Sequence, residues 1–250
     1  MNNRTFAWSL RLSATLLLVG QLLYFVVTLF HTGGPANDHP TIFAAYAGSG
    51  SWTVVHIAQF ACVAILVAGL LALSFALDIE AGTAKLVARL GAASAVVALA
   101  LEGALQAVDG VANKQADLAW LTAPEAEKAA RFASAEAIRW IEWGMRSYQA
   151  FALGLALLLF AAAVVRTGWV SRSIGYLMGL AGLVFLAQGW IVGIEGFSPT
   201  MSNAIVLAEV VDAVWMIWLL VVARRMKDLE PRRVADAGVG RPDAIHTPAH

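Results

Sequence analysis

Apolar residues run along this chain for stretches far longer than a buried strand needs, and polar residues return between them. Six such stretches lie at about 7–30, 52–77, 86–108, 138–165, 174–195 and 204–223. A bilayer core of ~30 Å takes about 20 residues of helix to cross. Lipid offers no partner for backbone polar groups, so such a span must be helical. The pattern predicts an all-α polytopic membrane protein with six transmembrane helices. All seven prolines fall outside the spans, so proline gives no reason to expect kinks.

The segments between the spans add detail. Pro40 opens an apolar patch, Thr41 to Tyr46, and suits the first turn of a short interfacial helix. Thr122 and Glu125 have capping-box spacing with Pro124 between them. No helix breaker follows up to Val165 except isolated Gly144 and Gly154, so the fourth helix is expected to begin well outside the membrane and run in. The first stretch is longer than the ~7–15-residue core of a signal peptide and no A-x-A-like site follows it, so it reads as a retained helix. One six-helix domain is expected over 1–226, followed by a disordered cytoplasmic tail over 227–250 that mixes Pro, Gly, Ala and Arg.

Lys and Arg set the expected orientation. With both termini inside, twelve of the 17 basic residues are cytoplasmic, and the outer loops 31–51 and 196–203 carry none. This places the chain in the plasma membrane as a multi-pass protein. Composition agrees: 60% hydrophobic, 14% charged and a mean hydropathy of +0.71, against about 25% charged in soluble domains. Seventeen basic residues balance seventeen acidic ones, which argues against a nucleic-acid partner. A single cysteine, Cys62, excludes an intrachain disulfide and a cysteine zinc site.

Polar side chains within a bilayer are costly and mark a protein interior or a site. His56 and Gln59 stand three apart in the second span. Glu102, Gln106 and Asp109 share one face of the third, continued by Gly91, Ser94, Ala95 and Ala98. Arg139, Glu142, Arg146 and Gln149 form a stripe on the fourth. Gln188 and Glu195 lie on the fifth, and Glu209 and Asp212 on the sixth. In the expected orientation these fall in the outer half, whereas the inner half offers mainly Ser13, Thr15, Ser74 and Ser94. That asymmetry predicts one polar pocket opening outward and closed below by apolar packing. On the fifth helix Gly175, Gly182, Gly189 and Gly196 recur every seven residues, a seam for close helix packing.

The chemistry of such a pocket stays open at this stage. Glu142 and Arg146 have i,i+4 spacing and are expected to pair. Arg146, the one basic residue deep in a span, reads either as part of a structural ion network reaching Glu102 or as an anchor for an anionic or carbonyl group. No His-x-x-x-His or Glu-x-x-His pair is present, and His31 and His39 follow no metal motif, so no metal site is assigned and the cofactor is unknown. The partners expected are the lipid bilayer and a small-molecule, lipid-like or cation ligand. Acid–base catalysis by a carboxylate on a lipid or isoprenoid substrate is the alternative, and a proton- or cation-coupled transporter a second one.

The run Arg166 to Leu177, RTGWVSRSIGYL, and the run Glu209 to Leu220, an acid followed by a Trp-Leu-rich segment, resemble an uncharacterised bacterial family of six-helix integral membrane proteins. The family often has Pro where Ser171 stands here. The stretch Asp38–Leu73 is similar to actinobacterial membrane proteins of like length. The resemblance implies the six-helix fold and carries over no activity, substrate or residue role.

Overall fold

The computed structural model describes residues 3–78, 82–168 and 170–226. The expected tail 227–250 lies outside the described residues. Among the described residues eight α-helices follow one another: α1 (Asn3–Thr28), α2 (His39–Gly48), α3 (Trp52–Leu77), α4 (Thr83–Ala107), α5 (Lys114–Leu121), α6 (Glu125–Arg166), α7 (Arg172–Glu195) and α8 (Pro199–Arg225). A π-helical segment, Val108–Asn113, joins α4 to α5. Among the described residues six helices are long and apolar enough to cross a membrane, so the protein is an integral, multi-pass, helical membrane protein.

The six spans form a closed ring. α1 packs on α3, α3 on α4, α4 on α6, α6 on α7, α7 on α8, and α8 returns to α1. Sequential spans are therefore neighbours and run antiparallel. Both described ends of the chain lie at one face of the ring, where Arg11 on α1 donates from Nε to the carbonyl of Ala223, at 3.2 Å, and from Nη2 to that of Met226. The helix α2, the π segment and α5 lie at the opposite face. Outward-facing Leu22, Phe25, Ile57, Leu183, Trp190 and Ile217 are at least half exposed, which suits contact with lipid tails rather than water.

Local sequence explains these elements. Asp38 caps α2 by accepting from the Thr41 amide, with Pro40 in the first turn. Ser198 caps α8 by accepting from the Met201 amide, with Pro199 in its first turn. α6 begins at Glu125 and runs 42 residues, starting well before its apolar part. The expected capping box at its start does not form: the Thr122 hydroxyl donates backward to the carbonyl of Leu118 and closes α5 instead. The end of the preceding helix lies within the hydroxyl's reach, and the Leu118 carbonyl accepts from it as well as from the Thr122 amide.

The glycine seam joins α7 to α6. A Cβ on Gly182 would stand 2.8 Å from the Gly154 carbonyl oxygen, and one on Gly189 at 2.8 Å from that of Ser147. Such closeness lets the Ser147 hydroxyl donate to the Gly189 carbonyl at 2.7 Å. On α4, Gly91 meets Phe160 and the Ser94 hydroxyl donates to the Ala152 carbonyl at 2.8 Å. Near the termini the ring is filled by Leu10, Ala14, Leu73, Phe160, Ile174, Met178 and Leu219, all almost fully buried.

Candidate functional site: a central cavity and a polar cap

A cavity of about 70 Å³ lies inside the ring, between α1, α3, α6, α7 and α8. Its polar lining is Gln21, Tyr24, Arg146, Gln149, Glu209 and Asp212. Its apolar lining includes Leu17, Val63, Leu66, Leu70, Leu153 and Phe185. The two carboxylates already have partners: the Gln21 amide nitrogen donates to Glu209 Oε2, and Trp215 Nε1 donates to Asp212 Oδ1 at 2.7 Å.

Arg146 differs from both. It is part-buried, and its guanidinium donates from Nη1 to Gln149 Oε1 at 3.3 Å. Among the described residues no carboxylate lies within ion-pair distance of it. The expected Glu142–Arg146 pair is therefore replaced. Glu142 is held by Arg139, with Nη1 2.6 Å from Oε2, and also accepts from the amide nitrogen of Asn113. Asn113 reaches Glu142 from the π segment. The bridge from Arg146 to Glu102 does not form either; Glu102 instead accepts from Gln106 Nε2 at 2.7 Å.

The remaining polar residues gather closer to the face opposite the termini, in a cap over the ring. Arg139 is buried, its guanidinium 4.6 Å from the ring centre of Phe197 and 5.4 Å from that of Tyr46. His56 Nδ1 lies 2.7 Å from the Trp52 carbonyl, and His56 Nε2 lies 3.0 Å from Asp109 Oδ2. Asp109 Oδ1 accepts from Asn113 Nδ2 at 3.2 Å. The π segment is pinned from α3, where Trp52 Nε1 donates to the Asp109 carbonyl at 2.8 Å and the Thr53 hydroxyl to that of Gly110 at 2.9 Å. Gly110 is required there, since a Cβ would stand 2.6 Å from His56 Cβ.

His31, on the turn after α1, packs its ring 4.8 Å from that of Trp52 and 5.1 Å from that of His56. Burial lowers its pKa below the ordinary histidine value, while the Asp109 carboxylate pulls the other way. His39 faces Glu136 across 2.9 Å. Lys114 Nζ donates to the carbonyls of Tyr46, Ala47 and Ser49 and so ends α2.

The twelve residues singled out by sequence thus divide. Arg146, Gln149, Glu209 and Asp212 line the cavity. His56, Asp109 and Glu142 belong to the cap, and Glu102 and Gln106 pair beside them within electrostatic reach of both groups. Gln59 donates to the Thr28 hydroxyl, and Gln188 to the Ala204 carbonyl. Glu195 is exposed at the end of α7, where it accepts from the Ser198 hydroxyl, outside both groups. Gln21, a polar residue of the first span, lines the cavity from α1. Two participants escaped the sequence reading: Tyr24 also lines the cavity from α1, and Asn113 ties Asp109 to Glu142. An Asn so close to a predicted helix end is the only signal the last of these offered.

No family model, no curated protein and no solved structure matches this chain.

Proposed function

We propose that this integral membrane protein binds the polar end of a small amphiphile in its central cavity, with Arg146 as the anchor. The observation that carries the reading is the unequal satisfaction of the cavity's charges. Glu209 and Asp212 are hydrogen-bonded by Gln21 and Trp215, while Arg146 holds only a long bond to Gln149. A guanidinium inside a membrane protein is costly without an oxygen partner, and its planar fork matches a carboxylate or carbonyl. The ligand's oxygen completes Arg146. Its apolar part lies along Leu17, Val63, Leu66 and Leu70.

A volume of about 70 Å³ suits a headgroup or a few waters rather than a whole lipid. With both termini in the cytoplasm, as the Lys and Arg distribution implies, the polar end of the cavity faces outward. Below it the core of Leu73, Phe160 and Leu219 closes the ring. That floor favours binding over conduction, which needs polar groups through both halves.

The test is the thermal stability of the full-length protein in mild detergent, against carboxylates from butyrate to octanoate and the matching alcohols. Carboxylates are expected to raise the Tm of the wild type more than alcohols do, and Arg146→Ala is expected to abolish the difference. Equal shifts for both series, or for both proteins, would refute the anchor role.

A further inference from the structure

We propose that His31, His56 and Asp109 form a site for a divalent transition-metal cation in the polar cap. Their ligand atoms all lie within 4.8 Å of one another. The site is separate from the cavity around Arg146 and does not rest on the reading given for it.

Hydrogen bonding at His56 is the first argument. Its Nδ1 lies against the Trp52 carbonyl, which has no proton to give, so Nδ1 carries the hydrogen and donates. In the neutral ring this leaves Nε2 as a bare lone pair. That nitrogen is 3.0 Å from Asp109 Oδ2, so two acceptors face each other in a residue 1% exposed. A cation must lie between them.

The direction of the contact distinguishes a metal from a proton. A proton bridge needs the oxygen near the axis of the ring nitrogen. Here the oxygen is 3.0 Å away, yet Nε2 makes no hydrogen bond. A metal bonded to both atoms at ~2.1 Å lies on the nitrogen's axis and leaves the oxygen about 45° away from it at this separation. A 3.0 Å approach without a hydrogen bond is compatible with that arrangement.

The surroundings complete the set. A metal-bound histidine commonly donates its other N–H to a carbonyl, as His56 does to Trp52. Asn113 holds Oδ1 of Asp109 and leaves Oδ2 turned to His56. The π segment and Gly110 bring Asp109 this close to α3; π segments recur at functional sites. His31 supplies the third ligand from the turn after α1. Two imidazoles and one carboxylate suit Zn²⁺, Co²⁺ or Fe²⁺ and leave at least one position open for water or an exogenous ligand.

The test is Co²⁺ and Zn²⁺ titration of full-length protein in detergent after chelator treatment, read by Co²⁺ visible absorption and by metal content after desalting. One equivalent per chain is expected. Asp109→Asn is expected to abolish binding. His31→Gln, which alters a turn outside the spans and leaves the α3–α4 contacts intact, is expected to weaken it at least about tenfold. Glu195→Gln is expected to bind like the wild type. Helical content by circular dichroism is followed throughout. Wild-type protein that keeps its helical content yet binds less than about a tenth of an equivalent would overturn the site, leaving a proton as the bridge. Undiminished binding by folded His31→Gln would overturn the ligand set.

Discussion

Arg139 Nη1 stands 2.6 Å from Glu142 Oε2, three residues along α6, and both side chains are buried. The pair is tied to the π segment through Asn113 and covered by the rings of Tyr46 and Phe197. Removing one member leaves an uncompensated buried charge, which costs about 3–5 kcal/mol. Arg139→Ala is therefore expected to unfold the protein at markedly lower temperature or denaturant concentration than the wild type. Arg146→Ala removes no ion pair and is expected to cost far less. Thermal melts of the two variants in the same detergent compare them directly, and equal losses would contradict the assignment of partners.

The α6–α7 seam gives a second contrast. Gly182→Ala drives a Cβ against the Gly154 carbonyl, where only backbone movement relieves the contact. Overpacking of this kind costs about 1–3 kcal/mol. Gly144→Ala, on α6 with nothing within 4 Å of the added methyl, is expected to stabilise by up to about 1 kcal/mol through helix propensity. Chemical denaturation midpoints should move in opposite directions for the two variants.

At the α3–α4 turn, Asp78 sits 3.0 Å from Lys85 and 3.2 Å from Arg89. The hydrogen bond from Lys85, with the charges of both bases, holds the Asp78 carboxyl below its ordinary value. A lowered folded-state pKa stabilises above the unfolded pKa, near 4, and that contribution disappears as pH falls through the folded value. The group is exposed, so the gain is small and screened by salt. Asp78→Asn is expected to lower stability slightly at neutral pH, to flatten the acid side of a stability–pH curve, and to match the wild type once the carboxyl is protonated. An unaltered acid limb at low salt would remove the clamp from the account.

Much of this architecture is legible in the sequence because membrane spans are dictated by hydropathy alone. Hydropathy places the second span at 52–77, and α3 is Trp52–Leu77. The early start of α6, the short helix α2 and the glycine seam also follow from local pattern. Pairing does not. Glu142 has a basic residue both three before it and four after it, and the choice between Arg139 and Arg146 is made by Asn113 arriving from another element. The π segment adds a residue to one turn without any compositional mark, and so turns Asp109 toward His56. His31 stands in a turn, where periodicity gives no direction. These are tertiary facts, and the site rests on them.

The most direct test of the Arg146 cavity is native mass spectrometry of the protein released from mild detergent, for wild type and Arg146→Ala. The account predicts a discrete added mass of an acidic or carbonyl-bearing amphiphile on the wild type, displaced by octanoate and lost in the variant. A bare wild-type chain, or an identical adduct on both proteins, would contradict it.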